Sequence, residues 1–291
     1  MSVNDPIQEL FAIDRRQARD VRVLVMTGYG LNCEAETVAA FERLGAQAEP
    51  RHVADVLEGG EDVLRSYQIL AFIGGFSFGD HIASGRVYAN RVRSRLGDRL
   101  GRYIDDGGLA LGICNGFQTL VKLGVLPALG RCVGDGLAPQ SASLVANERL
   151  GYRDAWVRLG FDDASPCVFT RGLGGRTLEL PSRHGEGKLV FADDETREAV
   201  EAAHLIPARY VDDAGEPTEE WPANPNGSVG GAAGLCDPSG RIFGLMPHPE
   251  AYLDPENHPH WRAQSAAGEL PPVGLGLHLL AGGVRAAIEG L

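Results

Sequence analysis

The sequence has 291 residues, enough to bury a large core without disulfides or a structural metal. It carries 27 Lys and Arg against 39 Asp and Glu, a net charge of -12 that disfavours binding to nucleic acid or to an anionic membrane surface. No apolar run approaches the roughly 20 residues of a membrane-spanning helix, and residues 1–20 lack the apolar centre of a signal peptide. The sequence therefore predicts a cytoplasmic protein that binds neither nucleic acid nor membrane.

The first half of the chain alternates buried strands with helices. Residues 21–27 (VRVLVMT) form an almost wholly apolar, β-branched run, which is typical of a parallel strand buried on both faces. The elements predicted in this half are strands at 21–27, 68–73 and 109–113 and helices at 34–44, 87–104 and 115–122. This alternation predicts an α/β protein with a doubly wound, mostly parallel sheet.

The second half is less regular. An Asp-Pro-Ser-Gly turn at 237–240 predicts an added β-hairpin between 232–236 and 242–246. The remaining predictions are β-like segments at 156–159 and 188–191 and a closing helix at 276–291. We predict an N-terminal extension at 1–20 and one domain at 21–291, with an insertion around 251–272 that is rich in Pro, His and Asn.

The cysteines point to no structural site. They are odd in number and widely spaced, and they include no C-x-x-C pair, so neither a disulfide framework nor a metal site is indicated. They are Cys33, Cys114, Cys132, Cys167 and Cys236.

One of these thiols lies in a motif with a chemical meaning. Residues 112–116 (GICNG) are the cysteine form of the G-x-S-x-G elbow and lie between a predicted strand and a predicted helix. Cys114 would stand at a helix N-terminus, where unpaired N–H groups favour the thiolate, and the amide of Asn115 could bind an oxyanion. Taken alone, the motif is equally compatible with an inert, buried thiol.

A second segment supplies a base. In residues 246–250 (MPHPE), His248 and Glu250 are two positions apart, so in extended chain they point to the same side. Glu250 could then hold the imidazole tautomer that lets His248 act on Cys114. The alternative is a solvated surface turn, which the presence of the elbow makes less favourable. Loop 73–80, with its paired glycines, could provide a further oxyanion donor.

Nucleotide motifs are missing. Residues 28–33 imitate a dinucleotide fingerprint, but Cys33 stands where the third glycine belongs. The phosphate-binding pattern G-x-x-x-x-G-K-[ST] does not occur. We therefore expect no cofactor.

Several separated segments resemble a known family, with matching order and rough spacing across residues 21–250. They are 30–34 (GLNCE), 74–80 (GGFSFGD), 111–118 (LGICNGFQ), 123–127 (LGVLP), 184–187 (HGEG), 224–228 (NPNGS) and 246–250 (MPHPE). Together they resemble the glutaminase subunit of phosphoribosylformylglycinamidine synthase, the PurQ family of class I glutamine amidotransferases.

The resemblance implies a flavodoxin-like fold and a role for each matching residue. Cys114 would be the nucleophile that forms a glutamyl thioester, His248 the base and then the acid, and Glu250 its orienter. The oxyanion hole would consist of Gly75 or Phe76 together with Asn115. The glutamine pocket would be lined by Gln118, His184, Gly185 and Glu186.

The resemblance also implies a reaction and partners. The family releases ammonia from glutamine for the ATP-dependent amidation of formylglycinamide ribonucleotide in purine biosynthesis. The ammonia passes to a separate, larger synthetase subunit of the PurL type, often with a small third subunit of the PurS type. The alternatives are another class I amidotransferase or cysteine hydrolase on the same fold, and a non-catalytic regulatory module.

Overall fold

A computed structural model describes residues 6–59 and 63–291, so residues 1–5 of the predicted N-terminal extension lie outside the described residues. The strands are β1 (Arg22–Thr27), β2 (Gln47–His52), β3 (Ile69–Phe72), β4 (Leu109–Ile113), β5 (Ala142–Ala146), β6 (Arg153–Phe161), β7 (Thr177–His184), β8 (Glu186–Phe191), β9 (Ala208–Tyr210), β10 (Gly234–Cys236) and β11 (Ile242–Leu245). The α-helices are α1 (Pro6–Phe11), α2 (Arg15–Ala18), α3 (Glu34–Arg43), α4 (Val53–Glu58), α5 (Arg86–Asp105), α6 (Asn115–Leu123), α7 (Asp194–Ala202), α8 (Trp261–Ala267) and α9 (Leu277–Glu289).

The central sheet has the strand order β10-β11-β4-β3-β1-β2. Its strands run parallel from β2 to β11, and β10 closes the edge as the antiparallel arm of a hairpin. Every residue of β3 and β4 is buried, which explains why these segments are continuously apolar rather than alternating. The predicted parallel sheet with an added hairpin is confirmed.

The direction of strand addition reverses next to β1. The chain leaves β1 for β2 on one side and then returns to β3 on the other side, before it continues to β4 and β11. Because such crossovers are right-handed, the helices of the two directions cover opposite faces of the sheet. Helix α3 packs with α9, and α5 packs with α6. In sheets of this kind, ligands bind outside the carboxyl ends of the strands around the reversal.

Two smaller antiparallel sheets stand beside the central one. Strand β5 pairs with β8, and β6 pairs with both β7 and β9. Strand β7 ends at His184, and the backbone N–H of His248 donates a hydrogen bond to Pro181 O at 2.7 Å. This bond fixes the end of β7 against the segment that follows β11.

The described part of the N-terminal extension packs into the main core. Phe11 and Ile13 are buried, and the Phe11 ring contacts the imidazole of His278 on α9 edge-on at 5.0 Å. A guanidinium N–H of Arg285, also on α9, donates to Phe11 O at 3.2 Å. Residues 6–18 thus share their packing with the last helix, while the division of the chain into 1–20 and 21–291 stays a prediction.

Part of the predicted insertion is also anchored. His258 is buried, and its Nε2 lies 2.8 Å from the carboxylate of Glu179 on β7. The His258 ring packs edge-on against Trp156 of β6 at 4.6 Å and lies 5.8 Å from the ring of Tyr252.

No helix within 6–59 or 63–291 combines the length and apolarity needed to cross a membrane.

Candidate active site

The functional segments converge at the carboxyl edge of the central sheet. Cys33 follows β1, Gly75 follows β3, Cys114 follows β4 and His248 follows β11, and these four strands are near neighbours in the sheet. Residues far apart in the chain therefore line one cleft of about 180 Å³, a volume suited to a ligand the size of an amino acid.

Cys114 occupies a strained turn between β4 and α6. Its backbone has φ 52° and ψ -107°, outside the regions that non-glycine residues favour. The N–H of Cys114 donates to Leu245 O of β11 at 2.8 Å, which holds the turn in place. A Cβ at Gly116 would lie 1.8 Å from Phe72 O, so the helix can approach β3 only with glycine there. The chain at 112–116 thus has the strand–turn–helix conformation of the predicted elbow, and the role of Cys114 as nucleophile stays a prediction.

His248 and Glu250 form a buried pair. Their Nδ1 and Oε1 atoms are 2.6 Å apart, and the two residues are 5% and 1% exposed. Burial alone lowers the pKa of His248, but the charge of Glu250 and the interaction with the Cys114 thiol together raise it well above its ordinary value. The imidazolium form is therefore favoured, and it stabilises a thiolate nearby.

Two thiols lie next to this imidazole. The proximity of Cys114 and Cys33 raises the pKa of His248, but His248 Nε2 has no hydrogen-bond partner among the described residues, and Cys33 Sγ donates to Asn32 Oδ1 at 3.5 Å. Cys114 Sγ donates to Arg183 O at 3.6 Å. Burial raises the pKa of the Cys33 thiol, and the nearby imidazole of His248 only partly offsets that rise. Cys33 is therefore not activated as a nucleophile.

The oxyanion donors need one correction. The N–H of Phe76 already donates to Gly30 O at 2.9 Å, so the expectation that Phe76 could supply a free donor is wrong in this conformation. Gly75 is left as the candidate in this loop, and Asn115 lies at the N-terminus of α6, where N–H groups have no partner within the helix. The Asn115 side chain donates to Asp80 Oδ1 at 3.0 Å, which fixes the start of the helix.

The predicted substrate residues all line the cleft. His184 is buried, and burial together with the charge of His248 lowers its pKa to about 3, so it is neutral. Its Nδ1 lies 3.0 Å from Asn147 Oδ1, and its Nε2 is consequently an acceptor that has no partner among the described residues. Gln118 donates to the backbone oxygen of Glu186, so it positions that loop.

Other residues of the cleft were not predicted. Tyr152 is 54% exposed, and its ring lies 6.3 Å from that of Phe76, so the two aromatic side chains form part of the rim. Arg183 also lines the cleft and pairs with Asp154 at 3.5 Å, a cross-strand neighbour on β6. Neither residue belongs to a motif, because its position depends on how β6 and β7 pack beside the central sheet.

The strained thiol, the buried His–Glu pair and the doubly wound sheet define the class of protein as a class I glutamine amidotransferase. Residues 20–278 match the model of the CobB/CobQ-like glutamine amidotransferase domain. The chain belongs to this family, and within it to the PurQ subunits of phosphoribosylformylglycinamidine synthase.

The similarity to individual relatives is extensive. The chain is 40% identical to the PurQ subunit of Methanococcus maripaludis over 242 residues, which is 83% of this chain and 86% of that protein. It is 35% identical to human phosphoribosylformylglycinamidine synthase over 247 residues, which is 80% of this chain and 18% of the human protein. The structure of PurLQS from Thermotoga maritima contains a chain with a TM-score of 0.65 and 25% identity, covering 91% of this chain and 98% of that one.

Proposed function

We propose that this chain is the glutaminase subunit of a phosphoribosylformylglycinamidine synthase and that Cys114, His248 and Glu250 carry its reaction. The observation that supports the assignment most strongly is the buried His–Glu pair, with its 2.6 Å contact, beside a thiol held in a strained turn. The relatives that share most of the chain carry the name of this synthase subunit.

The first half of the reaction forms a thioester. The Cys114 thiolate attacks the side-chain amide carbon of glutamine, and the amide oxygen becomes an oxyanion that accepts hydrogen bonds from the N–H groups of Gly75 and Asn115. The His248 imidazolium then gives its proton to the departing nitrogen, the C–N bond breaks and ammonia leaves. Glu250 stabilises the imidazolium through Nδ1 and keeps Nε2 directed at the reacting atoms.

The second half regenerates the thiolate. Neutral His248 takes a proton from water, which attacks the thioester carbon, and the C–S bond breaks to release glutamate. In the cleft, the neutral Nε2 of His184 is an acceptor for an N–H group of glutamine. Gln118 acts indirectly, since it holds the backbone of Glu186 and Gly185 at the wall of the cleft.

Full activity is proposed to depend on a partner. In the isolated chain the sulfur of Cys114 contacts Arg183 O at 3.6 Å, and His248 Nε2 is not aligned with it, so a small rearrangement is needed before catalysis. We propose that a PurL-type synthetase subunit, with a PurS-type subunit, brings this about and receives the ammonia. The setting proposed is the cytoplasm, because all five cysteines are unpaired and a catalytic thiol needs a reducing compartment.

The test combines the chain with a PurL-type and a PurS-type subunit and measures amidation of formylglycinamide ribonucleotide with ATP. Cys114→Ser should abolish glutamine-dependent synthesis and leave ammonium-dependent synthesis intact, whereas Cys132→Ser, at an exposed thiol, should preserve both. A glutamine-analogue chloroketone should label Cys114, and excess glutamine should prevent it. Glutamine-dependent synthesis by Cys114→Ser, or a wild-type chain that supports none, would refute the proposal.

A further inference from the structure

One thiol in the cleft has no part in the proposed reaction. Cys33 Sγ, a ring nitrogen of His248 and a carboxylate oxygen of Glu250 all lie within 4.8 Å of one another. The space between the loops after β1 and β3 is closed so tightly that a Cβ at Gly74 would lie 3.2 Å from Cys33 Sγ and 2.8 Å from His248 Cε1. The thiol is therefore held against the imidazole by the backbone.

The donor set of this cluster is suited to a metal ion. Thiolate, imidazole and carboxylate are the three ligand types of protein zinc sites, and three protein ligands with an open fourth position are a common arrangement. His248 Nδ1 and Glu250 Oε1 lie 2.6 Å apart with one proton between them, and Glu250 Oε2 is buried without a hydrogen-bond partner among the described residues. A cation can take the place of that proton between Nδ1 and the carboxylate, and water or substrate in the cleft can supply a fourth ligand.

We propose that Cys33, His248 and Glu250 form a binding site for a soft divalent cation of the zinc class. Binding replaces the thiol proton of Cys33 and the proton that His248 shares with Glu250 by bonds to the metal, and these protons pass to solvent. No oxidation or reduction takes place. No sequence motif marks the site, because Cys33 and His248 are far apart in the chain and meet only where β1 and β11 end in the same sheet.

Metal binding has a consequence for activity, and only this consequence rests on the proposed function. A cation at this position replaces the proton between His248 and Glu250, so the ring is no longer an imidazolium and cannot protonate the departing nitrogen of glutamine. Zinc is therefore expected to be a reversible inhibitor that a chelator removes, and Cys33 is expected to set the sensitivity.

The test titrates the full-length, chelator-treated chain with Zn²⁺ by calorimetry and with Cd²⁺ by the ultraviolet absorption of the cadmium–thiolate bond. We expect one tight site, a loss of affinity of at least about tenfold in both Cys33→Ser and Cys33→Ala, and no change in the matched variant Cys132→Ser. Circular dichroism and thermal unfolding verify that each variant is folded. In the reconstituted synthase, the zinc concentration that halves the rate should be higher for Cys33→Ser than for wild type by a similar factor. Each rate is expressed relative to the rate of the same variant without zinc.

Three results would overturn the proposed metal site. The folded Cys33 variants could bind Zn²⁺ with wild-type affinity, the wild-type chain could bind no Zn²⁺, or Cys132→Ser could lose as much affinity for Zn²⁺ as the Cys33 variants do. Because calorimetry and cadmium absorption do not require catalysis, a chain that binds metal as expected but never supports glutamine-dependent synthesis would refute the proposed function and leave the metal site standing.

Discussion

Lys122 gives a quantitative prediction about stability. It lies in α6, is 4% exposed, and its ammonium has no hydrogen-bond partner among the described residues. Burial, and then the charge of Arg86, lower its pKa from 10.5 to about 8, although Glu186 and Asp80 act in the opposite direction. The folded chain therefore binds the Lys122 proton less tightly than the unfolded chain does.

The sign of the effect follows from linkage. Below pH 8 the ammonium is charged in both states, and the full cost of burying the charge opposes folding. Between pH 8 and pH 10.5 only the unfolded chain keeps the proton, so the stability of the folded state rises with pH. The shift corresponds to a cost of about 3 kcal/mol near neutral pH, of which roughly half is relieved by about pH 9.5.

The substitution Lys122→Met keeps much of the side-chain volume and removes the charge. We expect urea unfolding to show a gain in the free energy of unfolding of about 2 to 3 kcal/mol near pH 7.5, shrinking to about 1 kcal/mol near pH 9.5. Lys188→Met is a matched control, because Lys188 is only partly buried and pairs with Glu148 at 3.6 Å. It should change stability by less than about 1 kcal/mol at either pH. A difference between Lys122→Met and wild type that does not vary with pH would refute the reasoning.

Two further predictions concern the active site. Glu250→Gln should lower the rate of glutamate release by roughly 10²- to 10⁴-fold in the reconstituted synthase while ammonium-dependent synthesis continues, and a rate above a tenth of wild type would argue against its orienting role. Gly116→Ala should destabilise the chain by more than about 3 kcal/mol in urea unfolding, because its Cβ would lie 1.8 Å from Phe72 O. Gly97→Ala, within α5, is the control, because the nearest atom would lie 3.9 Å from the new Cβ. It should be neutral or stabilise the chain by up to about 1 kcal/mol. Equal effects of the two substitutions would contradict this explanation.

The central sheet was largely predictable because its strands have a simple composition. Strands β3 and β4 are buried on both faces, so their sequences are unbroken apolar runs that periodicity analysis detects. Strand β2 was missed, since it lies at the sheet edge and its sequence, QAEPRH, is mostly polar and includes a proline. A proline is tolerated there because an edge strand has one unpaired side.

The site was predictable only where local chemistry determines the residue type. Gly116, two positions after Cys114, must be glycine because it contacts β3. The spacing of His248 and Glu250 follows from local chain geometry. Both features are therefore visible in the sequence as short motifs. The use of the Phe76 N–H by Gly30 O could not be foreseen, because it depends on how two loops from separate strands pack together. The same applies to Tyr152 at the rim.

The hydrogen bond from the Cys114 N–H to Leu245 O has a meaning for the order in which the protein is made. The elbow emerges from the ribosome long before β11, the strand that anchors it and that leads into His248. During synthesis the Cys114 turn is therefore made before the strand that holds it. If the proposed reaction is correct, a polypeptide that stops before β11 contains the thiol but lacks both this hydrogen bond and His248, so it should not hydrolyse glutamine.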